Sequence, residues 1–70
     1  MKLWVNGEQR EVSETSQGTL SVAQLVTELG WPAQRVAVER NGNVVPKTEH
    51  AKTDVQPGDK IEVVTLIGGG

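Results

Sequence analysis

The sequence predicts an α+β domain in which a mixed five-stranded sheet is covered on one side by a single helix. Three observations lead there. One helical pattern, capped at both ends, lies near residues 21–30; strand-like segments flank it, two before and three after; and Asn6-Gly7, Asn41-Gly42 and Pro57-Gly58 supply turns at the joints. One amphipathic helix needs one sheet to bury its apolar stripe, so the ββαβββ order suits a two-layer domain.

The N-terminal element is a hairpin. Lys2–Asn6 has strand character with Leu3 and Val5 on one face, and Glu8–Val12 reads as the returning strand. Asn-Gly between them is a strong two-residue hairpin signal, because both turn positions need positive φ.

The helix carries its own boundaries. Ser21 is the expected N-cap and Gln24, three residues on, completes a capping box, while Leu20 and Leu25 suit a hydrophobic staple. Val22, Leu25, Val26 and Leu29 recur at helical spacing and form one apolar stripe. Gly30 is placed as a left-handed C-terminal cap and Pro32 blocks continuation. A helix this short depends on packing rather than propensity.

Val36–Arg40 is the third strand, with Val36 and Val38 facing one way and Ala37 the other. After the Asn41-Gly42 turn, Asn43–Val45 is a short strand, ended by Pro46 in a manner suited to a sheet edge. Lys47–Asp54 is polar and reads as an irregular or single-turn connection. Pro57-Gly58-Asp59 makes a tight turn into the last strand, Lys60–Ile67, where Ile61 and Val63 share a face opposite Glu62 and Val64. The expected core is Leu3, Val5, Val12, Leu25, Val26, Leu29, Val36, Val38, Ile61 and Val63. Each contributes roughly 1.5–3 kcal/mol on full burial, most of it offset by conformational entropy.

Composition excludes several function classes. Without cysteine there is neither a disulfide framework nor a cysteine-based zinc site. Net charge is −2 and the seven bases are dispersed, which argues against nucleic acid as a partner. No apolar run approaches the roughly 18 residues needed to span a bilayer, and residues 1–7 lack the pattern of a signal peptide, so a cytoplasmic location is expected. His50 is the sole histidine and has no set of carboxylates at metal-ligand spacing, so it reads as a surface or packing residue. Gly7, Gly42 and Gly58 are accounted for by turns, since no strand–glycine loop–helix context exists for a phosphate site. The chain is not expected to be an enzyme or to bind a metal or cofactor.

Two features are left unexplained by folding. Gly68-Gly69-Gly70 follows a strand directly, where glycine adds nothing to packing and has the most backbone freedom to lose. It reads either as a frayed terminus or as a tail slim enough to carry the Gly70 carboxylate through a narrow channel into another protein. The expected division is a domain over residues 1–67 and a flexible tail over 68–70. The second feature is the sheet face away from the helix, where alternation places Trp4, Ala37, Val64 and Leu66. Trp4 beside Val64 and Leu66 makes a contiguous apolar patch, the kind of surface that docks a partner, leading straight into the tail.

These residues carry a resemblance. The ββαβββ order with a terminal Gly-Gly resembles the ubiquitin-like β-grasp family. Within it, the C-terminal half is similar to the ThiS sulfur carriers of thiamine biosynthesis. Val36-Ala37-Val38-Glu39-Arg40-Asn41-Gly42, Val44-Val45-Pro46 and Pro57-Gly58-Asp59-Lys60-Ile61-Glu62-Val63-Val64, leading into Ile67-Gly68-Gly69-Gly70, carry the likeness. It covers nearly the whole chain; residues 13–18 make the loop before the helix slightly long, without touching a functional position.

The resemblance implies a mechanism in which partner enzymes do the chemistry. A ThiF-like adenylating enzyme uses ATP to convert the Gly70 carboxylate to an acyl adenylate. Sulfur from a cysteine-derived donor pathway displaces AMP to leave a thiocarboxylate, and a ThiG-like thiazole synthase takes that sulfur into the thiazole ring. Gly68 and Gly69 then supply reach. The small subunit of molybdopterin synthase uses the same chemistry, but its tail is usually preceded by a proline-containing segment, which Thr65-Leu66-Ile67 lacks. A protein-conjugating modifier and a β-grasp interaction module with an idle tail are the other readings open at this point.

Overall fold

The computed structural model describes residues 1–65. Its elements are β1 (Lys2–Val5), β2 (Glu8–Glu11), α1 (Val22–Glu28), β3 (Val36–Arg40), β4 (Asn43–Val45) and β5 (Lys60–Thr65), with single 3₁₀ turns at Ala33–Arg35 and Lys47–Glu49. The strands form one five-stranded sheet in the order β2-β1-β5-β3-β4. β5 runs parallel to β1 and antiparallel to β3, so it lies in the middle of the sheet and joins two hairpins.

Both hairpins close through Asn-Gly pairs in the left-handed region, with φ of 50° and 83° at Asn6 and Gly7 and 53° and 86° at Asn41 and Gly42. That backbone twist matches the right-handed twist of the flanking strands. It also explains why β1 stops at Val5 rather than at Asn6. β2 ends at Glu11, and Val12 lies just beyond it, buried, donating its N–H to the Met1 carbonyl at 2.9 Å.

The helix is capped as its sequence predicts. Ser21 Oγ accepts the Gln24 N–H at 3.1 Å, and Gln24 Oε1 accepts the Ser21 N–H at 2.9 Å. The first helical N–H groups have no partners within the helix; Val22 donates to the Thr53 carbonyl and Ala23 to the His50 carbonyl, at 2.8 and 2.9 Å. The polar 47–54 connection is therefore a cap for α1, and an isolated bridge between Ser21 and Asp54 holds it there. At the other end Gly30, with φ of 80°, donates to Thr27 and Trp31 donates to Val26. This pair of bonds is the Schellman arrangement.

The core between helix and sheet contains Leu3, Val5, Val12, Leu25, Val26, Val36, Val38, Ile61 and Val63, all expected, together with Leu20, Val22, Val45 and Val55. Leu29 departs from expectation: it is only partly buried and packs against the core margin. It is the C-cap residue, one step past the last helical residue and just before Gly30 turns into the left-handed region. Val55 is also buried, and its N–H donates to the Leu20 carbonyl at 2.8 Å, a contact that no local pattern signals. Among the described residues, no helix is long and apolar enough to cross a membrane. The expected end of the last strand at Leu66 and Ile67, and the tail Gly68, Gly69 and Gly70, lie outside the described residues, and so does the proposed boundary after residue 67.

Candidate functional site

The site is built on β5, the strand that leads to the glycines. Its start is anchored at Asp59, which is buried and accepts from Arg40 Nε at 2.6 Å, Asn41 Nδ2 at 3.0 Å and the Gln56 N–H at 2.8 Å. Burial disfavours the charged carboxylate, but the hydrogen bonds from Asn41 and Gln56, with Arg40 beside it, outweigh that and hold the Asp59 pKa below its ordinary value. Asn41 also accepts the Lys60 N–H at Oδ1, 2.9 Å away.

Further along, β5 outruns β1. Val5 pairs with Ile61, and the Asn6 N–H reaches the Ile61 carbonyl at 2.9 Å. The next position on that edge, Val63, meets the side chain of Asn6: Oδ1 accepts its N–H at 2.8 Å and Nδ2 donates to its carbonyl at 3.1 Å. Both turn asparagines thus do more than adopt positive φ: each also hydrogen-bonds β5 through its side chain. The dipeptide marks a turn, but which strand lies beside it is a matter of topology.

The face away from the helix presents Trp4, Ala37 and Val64; Trp4 is 42% exposed, Val64 is 55% exposed and Ala37 is half-buried. Leu66, the fourth expected docking residue, lies outside the described residues. The register corrects the expectation of one contiguous patch. Trp4 is level with Lys60, so Val64 stands four residues further along β5, about 13 Å away at ~3.3 Å per residue. Glu62 lies between them and stands directly opposite Glu39 of β3. The face is therefore two apolar areas, Trp4 near the strand's start and Val64 with Ala37 near its exit, separated by two carboxylates. Val44, exposed and level with Glu39 on β4, extends the same face and was not foreseen. Pairing across the Asn41-Gly42 turn would have located it. An open cavity of about 220 Å³ lies against Trp4, Gly7, Lys60 and Glu62.

His50 is buried, and its Nε2 lies 3.0 Å from the Val45 carbonyl. It is a packing residue that fastens the 47–54 connection to β4. Among the described residues no three of the metal-ligating types gather into a site.

A family model described as the ThiS family matches residues 3–70. The chain belongs to the ThiS family. Its sheet of five strands with one helix is the ubiquitin-like β-grasp fold. Over their full lengths it is similar to the crystal structure of the thiamine biosynthesis protein ThiS from Geobacter metallireducens, with a TM-score of 0.81 and 35% identity. It is 47% identical, over all 70 residues, to a protein named thiazole synthase from Paramagnetospirillum magneticum, and 40% identical to one of that name from Magnetococcus marinus. The chain spans only 20% of the length of each. Against the uncharacterized protein ycf40 of Porphyra purpurea it is 31% identical, covering all of this chain and 93% of that one.

Proposed function

We propose that this chain is the sulfur carrier of thiazole formation in thiamine biosynthesis, with the Gly70 carboxylate as its reacting group. The observation that carries the reading is the ThiS family match over residues 3–70, which includes the glycines. The site supports it physically: the strand leading to them is the central one, tied on both edges, and so offers a rigid base for a slender extension.

A carboxylate is a poor electrophile, because its charge repels nucleophiles and oxide is a poor leaving group. Attack of the Gly70 carboxylate oxygen on the α-phosphorus of ATP, in an adenylating partner of the ThiF type, releases pyrophosphate and gives an acyl adenylate. A donor delivering sulfur at the oxidation level of sulfide then attacks the carbonyl carbon, AMP departs, and a thiocarboxylate remains. The carrier contributes presentation, with Gly68 and Gly69 supplying a side-chain-free approach, and the partners contribute the catalysis. ATP is consumed by the activating enzyme; this chain holds no cofactor of its own.

A thiazole synthase of the ThiG type is the proposed acceptor. Support comes from relatives named thiazole synthase that contain a segment similar to this whole chain, as expected where carrier and acceptor work side by side. The intact mass of the protein from its own cells tests the reading. A mass gain equal to one oxygen-to-sulfur exchange, localised to the C-terminal peptide and lost in a strain without the adenylating enzyme, is expected. An unmodified terminus in cells actively making thiamine would overturn it.

A further inference from the structure

We propose that Asn6 is a positioning residue for presentation of the Gly70 carboxylate, holding the second edge of β5 at Val63 and so fixing the strand from which the glycines are presented. The inference rests on the carrier reading above and deepens it.

Near its exit β5 is paired on one edge throughout, with Val63, Val64 and Thr65 opposite Val38, Ala37 and Val36 of β3. On the other edge the β1 ladder ends with the Asn6 N–H on the Ile61 carbonyl. Beyond that, among the described residues, the hydrogen bonds to this edge are the pair made by the Asn6 side chain with Val63. A strand held on both edges has one direction of exit, whereas one held on a single edge frays and samples many. Delivery of a terminal carboxylate into a reacting site depends steeply on such alignment.

Residue 6 meets two demands at once. It must accept a left-handed φ of 50°, which asparagine tolerates and most residues do not. It must also offer a donor and an acceptor together, in imitation of a peptide unit, which an amide side chain does and a carboxylate does not. Glycine would satisfy the turn alone. The sequence holds an internal control, because Asn41 has a φ of 53° in the same kind of turn and braces the other end of β5, at Asp59 and Lys60.

The test compares full-length Asn6→Gly, Asn6→Asp and Asn41→Gly with the unmodified chain as substrates of the purified adenylating enzyme and MgATP, read as pyrophosphate release. All are assayed where unfolding curves show each variant folded, and amide exchange is followed at Val63. The expected result for Asn6→Gly is loss of Val63 protection and a rise in KM of about tenfold, with kcat changed less than twofold, because ordering the exit is then deferred to binding. Asn6→Asp keeps the acceptor for the Val63 N–H and loses the donor, so a smaller rise in KM is expected. Asn41→Gly should lose comparable stability and keep its KM. Equal KM values for the Asn6 and Asn41 variants, or a protected Val63 N–H in Asn6→Gly, would overturn the proposal. Failure of the unmodified chain to be adenylated would instead overturn the carrier reading.

Discussion

Asn6 and Val63 are joined by a reciprocal pair of hydrogen bonds, at 2.8 and 3.1 Å, in which a side-chain amide takes the place of a missing strand residue. β1 has to turn back at Asn6 to make the hairpin, yet β5 continues past it, and the Val63 peptide groups would otherwise face an unpaired edge. Turn and clamp are two uses of one residue, and they can be separated by mutation.

Asn6→Gly keeps the turn and removes the clamp; Asn6→Ala removes the clamp and adds left-handed strain. Two neutral hydrogen bonds contribute about 1–3 kcal/mol together, and a left-handed conformation costs a β-carbon-bearing residue roughly 1–2 kcal/mol. Urea unfolding should therefore rank unmodified protein above Asn6→Gly and Asn6→Gly above Asn6→Ala. Equal stability of the two variants would mean that the turn relaxes out of its left-handed form.

Asp59 should govern the acid limb of stability. Its folded pKa is below the unfolded value of about 3.9. The native state therefore binds fewer protons than the unfolded chain in that range. The stabilisation is fully present above the unfolded pKa and disappears as pH falls through the folded one. Asp59→Asn should lower stability near neutral pH and flatten its decline below about pH 4. An unchanged slope in pH-dependent urea unfolding would assign acid sensitivity to other carboxylates.

The hairpins, the capping box, the glycine C-cap and most of the core were legible because they are local: Asn6-Gly7, Ser21 with Gln24, and the Val22–Leu25–Val26 stripe each carry their cause within a few residues. Leu29 departs from its pattern for a related reason, since the helical period continues through it while the helix does not. What could not be read depends on which strands become neighbours. The pairing of Asn6 with Val63 and the position of Glu62 between Trp4 and Val64 both follow from β5 inserting beside β1, and the buried Val55 is met through an equally non-local pairing of its N–H with the Leu20 carbonyl. Alternation assigns a residue to a face, but only register says what lies next to it.

Glu39 and Glu62 face each other across β3 and β5 with no cation within ion-pair distance among the described residues. Like charges directly opposite in an antiparallel pair are destabilising by about 0.2–1 kcal/mol. Glu62→Gln should stabilise the domain at low ionic strength, and the gain should shrink near 1 M salt, where the screening length is only about 3 Å. A gain independent of salt would point to packing rather than repulsion.

Val63 and Val64 are adjacent in sequence and opposite in consequence. Val63 is 2% exposed in the core, whereas Val64 is 55% exposed on the outer face. Val63→Ala removes buried methyl groups and leaves a cavity, so a loss of about 2 kcal/mol is expected in unfolding experiments. Val64→Ala should change stability by less than about 0.5 kcal/mol. If the outer face docks the adenylating enzyme, Val64→Ala and Trp4→Ala should each weaken that complex by more than about 1 kcal/mol, or several-fold in Kd. Calorimetric titration on the same preparations separates the two effects. Full affinity in both variants would move the docking surface off this face.

The last expectation concerns Gly70 itself. A glycine has no side chain to add to a core, so deleting Gly70, or adding one residue beyond it, should leave the thermal midpoint nearly unchanged. The reacting atom, by contrast, is proposed to be the terminal carboxylate. Deletion moves it back by one residue, about 3.3–3.6 Å of extended chain, out of reach of the α-phosphorus of ATP. Extension replaces it with an amide carbonyl, which has no anionic oxygen to attack. Both variants should bind the adenylating enzyme through the intact domain yet release no pyrophosphate, and they should inhibit the unmodified chain competitively. If the extended protein is adenylated at the normal rate without being trimmed, as intact-mass analysis would reveal, the reacting group is not the Gly70 carboxylate.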